Sequence, residues 1–117
     1  MGEVHVEIVV ANPRTGAREQ ITALADTGST LSVVPGPLLE SLGIDRVDTV
    51  IGILADGREV SREVGYAMVT VDAKSTPCRV LFGEPEDVAI LGLTVLEQLG
   101  LAVDPERRRL APGRFLF

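Results

Sequence analysis

Ala23-Leu24-Ala25-Asp26-Thr27-Gly28-Ser29-Thr30 sets one acidic residue directly after an apolar run, in a loop whose Gly28 lets backbone N–H groups turn towards the carboxylate. Such donors hold an ionised oxygen in a fixed orientation. On these residues alone two roles stay open, because Asp and Gly also build ordinary turns. What surrounds the segment decides between them.

Upstream, Val4, Val6, Ile8 and Val10 alternate with His5, Glu7 and Val9, the period-two pattern of a half-buried strand. Asn12-Pro13-Arg14-Thr15-Gly16 reads as a turn, and a return strand runs from Ile21 to Ala25. The chain is thus expected to open with a hairpin that delivers Asp26 to a tight loop. Downstream, Leu31 to Val34 is a β-rich run stopped by Pro35, and Pro37 to Gly43 places Pro near the start and Gly just past the end of a short helix. Strands are expected at Val50–Leu54 and Arg58–Val64 about an Asp56-Gly57 turn. Further strands are expected at Tyr66–Val71, Arg79–Phe82 and Val88–Leu91. Asp72 to Ser75 reads as a turn. Thr94-Val95-Leu96-Glu97 matches a capping box, and Gly100 closes that second helix. Leu101–Val103, a turn at Asp104-Pro105-Glu106, and Leu110 follow. The terminus Arg114-Phe115-Leu116-Phe117 is apolar enough to suggest a partner surface.

The segments Leu38 to Ile44 and Val95 to Leu101 echo one another, each after an apolar strand and a Gly-containing loop. The echo suggests a lobe of two related halves, although short Leu-rich helices also look alike by composition alone.

Bulk properties narrow the class. At 117 residues the chain is expected to be one domain, residues 1–117, with one site. It is 45% hydrophobic and only 3% aromatic, so the core must be built from Val, Leu, Ile and Ala, which favours strands. A net charge of -6 argues against nucleic acid as a partner, and the one basic cluster, Arg107 to Arg109, reads as a solvated run. Cys78 and His5 are each the single residue of their type, so no intrachain disulfide and no Cys/His metal set is expected, and no cofactor is implied. Cys78 is expected to be a small buried or half-buried residue, and His5 to sit in a strand without a catalytic role. No apolar run reaches the ~18 residues of a membrane span, and Met-Gly-Glu-Val-His-Val lacks the order of a signal peptide. A soluble, cytoplasmic protein with no membrane partner is the expectation.

With these elements in place, Ala23 to Pro35 resembles the active-site segment of retropepsin-like aspartic peptidases. Val88 to Gly92, followed by Leu96 and Leu99-Gly100, resembles the family's second signature, and the Asp56-Gly57 hairpin lies between the two, where the family has its flap. The resemblance spans nearly the whole chain. It implies an all-β half-barrel lobe with one or two short helices and an internal pseudo-twofold, functional as a twofold homodimer. It also implies roles: Asp26 as the catalytic carboxylate, Thr27 bonding across to the partner chain's loop, and Gly28 giving substrate close backbone access. Ser29 would support the outer carboxylate oxygen. Ile53, Leu54, Ala55, Asp56 and Gly57 would close over bound peptide, and Ile90, Leu91 and Gly92 would form the second signature loop. The chain departs from the pattern twice. Leu93-Thr94 stand where viral relatives carry an Arg-containing turn that braces the loop, and the flap tip has one glycine, Gly57, instead of several.

Hydrolysis of an amide by carboxylates needs an acid and a base together, and no second Asp-Thr/Ser-Gly occurs at Asp45, Asp48, Asp56, Asp72, Asp87 or Asp104. The expected activity is therefore an aspartic endopeptidase acting on a peptide or protein, with Asp26 of two copies as the dyad. Part of the interface is expected from the C-terminus and the Val4–Val10 strand. Ala25, Ile51, Ile53, Leu54, Leu81 and Ile90 are candidate cleft linings, though strand alternation also buries such residues for the core alone. Two rivals remain. Asp-x-Gly-Ser/Thr also resembles the phosphate-binding turn of actin-like ATPases and sugar kinases, but that fold needs larger domains and a second phosphate loop. The alternative on the same fold is a catalytically weak or inactive peptide-binding or oligomerisation module.

Overall fold

The structure, a computed structural model, describes residues 3–115. The first hairpin pairs β1 (His5–Ala11) with β2 (Arg18–Asp26), in register from His5 opposite Leu24 to Ala11 opposite Arg18. Its turn is tied down by Asn12, which is 2% exposed. The Asn12 Oδ1 accepts the Arg14 N–H at 2.9 Å, and Nδ2 donates to the Leu42 carbonyl at 2.9 Å. A buried amide therefore joins the hairpin to the end of the first helix.

The chain continues through β3 (Ser32–Pro35), α1 (Gly36–Ser41), β4 (Asp48–Ile53), β5 (Glu59–Val71) and β6 (Lys74–Gly83). It ends with β7 (Ile90–Gly92), α2 (Leu93–Gln98), β8 (Leu101–Asp104) and β9 (Arg109–Pro112). The sheet runs β1-β2-β7-β3-β6-β5-β4 and closes because β1 also pairs with β5, Val10 opposite Val69. Six strands thus make a closed barrel, with β4 carried outside it on β5 and β8–β9 forming a separate two-stranded sheet.

Exchanging β1, β2, β3 with β5, β6, β7 reads the ring backwards onto itself: β2 runs parallel to β7 as β6 does to β3, and β3 meets β7 at the centre, Val33 opposite Ile90. The two helices obey the same exchange. Each has six residues; α1 ends at Leu42 (φ -84, ψ -1) and α2 at Leu99 (φ -88, ψ -4). Gly43 (φ 75) and Gly100 (φ 70) then turn the chain through the left-handed region that glycine enters at low cost. Leu39, Leu42 and Ile44 are buried, as are their counterparts Leu96, Leu99 and Leu101. The echo in the sequence is a structural repeat, and both helices plug the barrel core beside Ile8, Val34, Val69, Val80 and Leu91.

The structure corrects four local expectations. No side-chain capping box forms at Thr94: α2 starts at Leu93 with Gly92 as its N-cap, because the first-turn N–H groups already have partners in the loop after Asp26. Arg58–Val64 and Tyr66–Val71 are one strand, β5, of 13 residues. Gly65 does not break it but lets it pass close to the core, where a Cβ would stand 2.8 Å from the Asp45 carbonyl and 2.9 Å from Phe82. Pro35 ends β3 from within the strand. The strand expected from Val88 begins only at Ile90, leaving Val88 60% exposed. Of the apolar terminus expected as a partner surface, Leu116 and Phe117 lie outside the described residues; Phe115 is 40% exposed. No helix among the described residues is long and apolar enough to cross a membrane.

Candidate active site

Asp26 is the last residue of β2, a strand held on one side by β1 and on the other by β7. The barrel therefore fixes its backbone, and the loop fixes its side chain. The Gly28 N–H donates to Oδ1 at 2.8 Å and the Ser29 hydroxyl to Oδ2 at 3.3 Å. The Ser29 N–H donates to the Asp26 carbonyl at 3.2 Å, closing the turn. A Cβ on residue 28 would lie 3.1 Å from Oδ1, so glycine keeps that side of the carboxylate open. Asp26 and Ser29 are half-buried, while Thr27 and Gly28 face solvent. The result is an oriented carboxylate with an exposed approach, suited to exchanging a proton.

The second signature loop is brought against the first. Asp26 is in register with Gly92 across the parallel β2–β7 pair. The Gly92 N–H donates to the buried Ser32 hydroxyl at 2.9 Å, the Leu93 N–H to the Ser29 carbonyl at 2.7 Å, and the Thr94 N–H to the Thr30 carbonyl at 3.1 Å. The start of α2 thus braces the loop through backbone donors, without an arginine. Ile90 is half-buried between Leu24 and Val33, whereas Leu91 lies in the core. Ser32, 1% exposed, was missed in the sequence. A lone hydroxyl inside Leu31-Ser32-Val33-Val34 was the available signal, since a buried polar group requires a partner.

Ile53 to Gly57 form a separate group at the tip of the β4–β5 hairpin. The Leu54 N–H donates to the Arg58 carbonyl at 2.8 Å and the Gly57 N–H to the Leu54 carbonyl at 2.9 Å, with Gly57 at φ 87. Asp56 accepts from the Arg58 N–H at 3.0 Å and from its Nε at 2.7 Å, and these bonds hold the Asp56 carboxyl below its ordinary value. The tip with one glycine is thus closed by a charged clasp. Ile51 and Ile53 are 65% and 74% exposed, Ala55 is exposed, and Leu54 and Leu81 are half-buried; Ala25, at 8%, belongs to the core wall.

A cavity of about 400 Å³ lies elsewhere, between α2 and β6, lined by Leu31, Cys78, Arg79 and Gln98 among others, and holds none of residues 26–29. Burial pushes the Cys78 thiol up to about 11. His5 lies in β1, and its ring nitrogen meets the Glu3 carboxylate at 3.3 Å. Among the described residues no cluster of His, Cys, Asp and Glu could hold a metal ion.

The profile of the family described as aspartyl protease matches residues 14–95, which take in Asp26, the hairpin and the second loop. The chain belongs to the aspartyl protease family. Among solved structures, the equine infectious anaemia virus (EIAV) protease complexed with the inhibitor HBY-793 superposes with a TM-score of 0.61 at 19% identity, covering 84% of this chain and 88% of that one. The simian foamy virus protease gives 0.57 at 22% identity, covering 81% and 93%. A retropepsin-like aspartic protease from Rickettsia conorii gives 0.55 at 19% identity, covering 88% of each. The fold of this aspartyl protease family member is thus retropepsin-like. No curated protein sequence matches the chain significantly.

Proposed function

We propose that this protein is an aspartic endopeptidase in which Asp26 of one copy and Asp26 of a second copy form the catalytic dyad. The observation that carries the proposal is the setting of Asp26: both oxygens are oriented by Gly28 and Ser29, the approach is open, and no second such carboxylate loop exists in the chain. A twofold axis beside the Asp26 loop supplies the missing group by symmetry.

Two carboxyls about 3 Å apart do not both ionise, so they share one proton and present an acid and a base together. The ionised Asp26 takes a proton from water as the water oxygen bonds to the scissile carbonyl carbon. The protonated Asp26 of the other copy gives its proton to the carbonyl oxygen, forming a gem-diol. The carboxyl now protonated gives its proton to the amide nitrogen while the other takes one from a gem-diol hydroxyl. The C–N bond breaks as the C=O bond re-forms, acid and amine leave, and the dyad again holds one proton. Ser29 and Gly28 keep the carboxylate oxygens aimed through these steps. Thr27, exposed at the loop tip, bonds across to the second copy. The β4–β5 hairpin closes over the peptide, offering the apolar Ile53 to substrate side chains.

The test is cleavage of a peptide library across pH by wild type and Asp26→Asn, with the mass of each in solution. Cleavage abolished by Asp26→Asn while the dimer persists supports the proposal. Cleavage unaffected by that change, or a strict monomer at high concentration, would sink it. A dimer that binds peptides without cleaving them would leave the binding-module alternative.

A further inference from the structure

Arg62 and Asp87 lie 25 positions apart in sequence and meet as a fork: Nε donates to Oδ2 at 2.7 Å and Nη2 to Oδ1 at 3.0 Å. Their side chains are 13% and 19% exposed, which makes this the least exposed ion pair among the described residues. Both are further tied. Arg62 Nη1 donates to the Ser61 carbonyl at 2.9 Å, and Asp87 Oδ2 also accepts the Glu84 N–H at 2.8 Å while the Asp87 N–H returns to the Glu84 carbonyl at 2.9 Å. Glu86 adds a longer contact to Arg62 at 3.6 Å.

What the fork joins matters more than its strength. Arg62 stands opposite Val50 in the stalk of the β4–β5 hairpin. Asp87 belongs to segment 84–89, which leads through exposed Val88 and through Ala89, whose carbonyl accepts the Leu24 N–H at 2.9 Å, into β7 and so to Gly92 opposite Asp26. One end of the pair is on the stalk of the proposed flap and the other on the segment that leads into the strand beside the carboxylate. A bidentate, half-dry pair fixes both distance and angle, which a single contact does not.

We infer that the β4–β5 hairpin and segment 84–89 bound the substrate cleft, and that Arg62 and Asp87 are positioning residues that set the separation between the two and with it the width of that cleft. This rests on the peptidase proposal for the meaning of the cleft. Neither residue touches the reacting atoms; each acts through the segment it anchors. Loss of the fork loosens both segments together and weakens peptide binding before it slows the chemical steps.

The test compares full-length wild type, Arg62→Met, which keeps an apolar stem and deletes the fork, and Arg62→Lys, which restores the charge without the bidentate geometry. Amide hydrogen exchange is measured on each, together with KM and kcat for the best-cleaved library peptide. Expected for Arg62→Met is exchange about tenfold faster in both 48–59 and 84–90 with β1 unchanged, and KM raised about tenfold with kcat within about twofold. Arg62→Lys recovers part of both effects. Faster exchange in one segment only, a rise throughout the barrel with a lower melting temperature, or a fall in kcat at constant KM overturns the inference. If wild type cleaves no peptide, the peptidase proposal fails by itself, and the exchange comparison alone upholds or overturns the coupling of the two segments.

Discussion

Gly92 passes so close to Leu31 that a Cβ on it would stand 2.7 Å from the Leu31 carbonyl oxygen and 3.0 Å from that of Ser29. Both atoms are backbone and cannot swing aside. Gly92→Ala is therefore expected to push β7 away from the loop after Asp26 and to cost about 1–3 kcal/mol, with peptide cleavage lost in step. Urea denaturation of the variant checks it; unchanged stability would contradict the close approach.

Ser32 gives the same junction its polar partner. Ser32→Ala leaves the buried Gly92 N–H without an acceptor, at an expected cost of about 1–3 kcal/mol. Ser32→Thr, which keeps the hydroxyl, is expected to retain more of the stability than Ser32→Ala. Equal losses in the two denaturation curves would show that the hydrogen bond is not the cause.

These residues mark where sequence patterns stop. Alternation in Val4–Val10 and the Gly endings of the two helices were legible, because strand and helix periods and left-handed turns are local properties. The turn that orients the Asp26 carboxylate was legible for the same reason, since it is built from the neighbouring Gly28 and Ser29. The capping box misled because α2 satisfies its first N–H groups on Ser29 and Thr30, more than sixty positions away. Gly65 looked like a gap between strands, yet it is a contact with Phe82 and Asp45 that only the closed barrel creates. The Arg62–Asp87 fork is invisible to any local pattern for the same reason.

Acid should release that fork. The Arg62 guanidinium holds the Asp87 carboxyl below its ordinary value, so the pair's contribution is complete above about pH 4, the ordinary carboxylate pKa. It is lost as pH falls further, through the lowered folded value. Denaturation of wild type and Asp87→Asn over a pH series is expected to show a constant stability gap above about pH 5 that narrows below about pH 4. A gap that widens with acidity would contradict the sign.

Cys78 offers an independent check on burial. A thiol pushed up to about 11 carries little thiolate at neutral pH. Its alkylation by iodoacetamide at pH 8 is expected to be roughly a hundredfold or more slower than that of a free thiol of pKa about 8.5. In denaturant the two rates should converge. A fast native reaction would show Cys78 to be open to solvent.

The claim that one active site is shared by two copies is tested most directly by mixing. Wild type and Asp26→Asn are combined at fixed total concentration, allowed to exchange subunits, and assayed for peptide cleavage. If each site needs Asp26 from both chains, activity follows the square of the wild-type fraction, so an equal mixture retains about a quarter of the wild-type rate. Activity in linear proportion to the wild-type fraction, one half at equal mixing, would contradict the shared dyad.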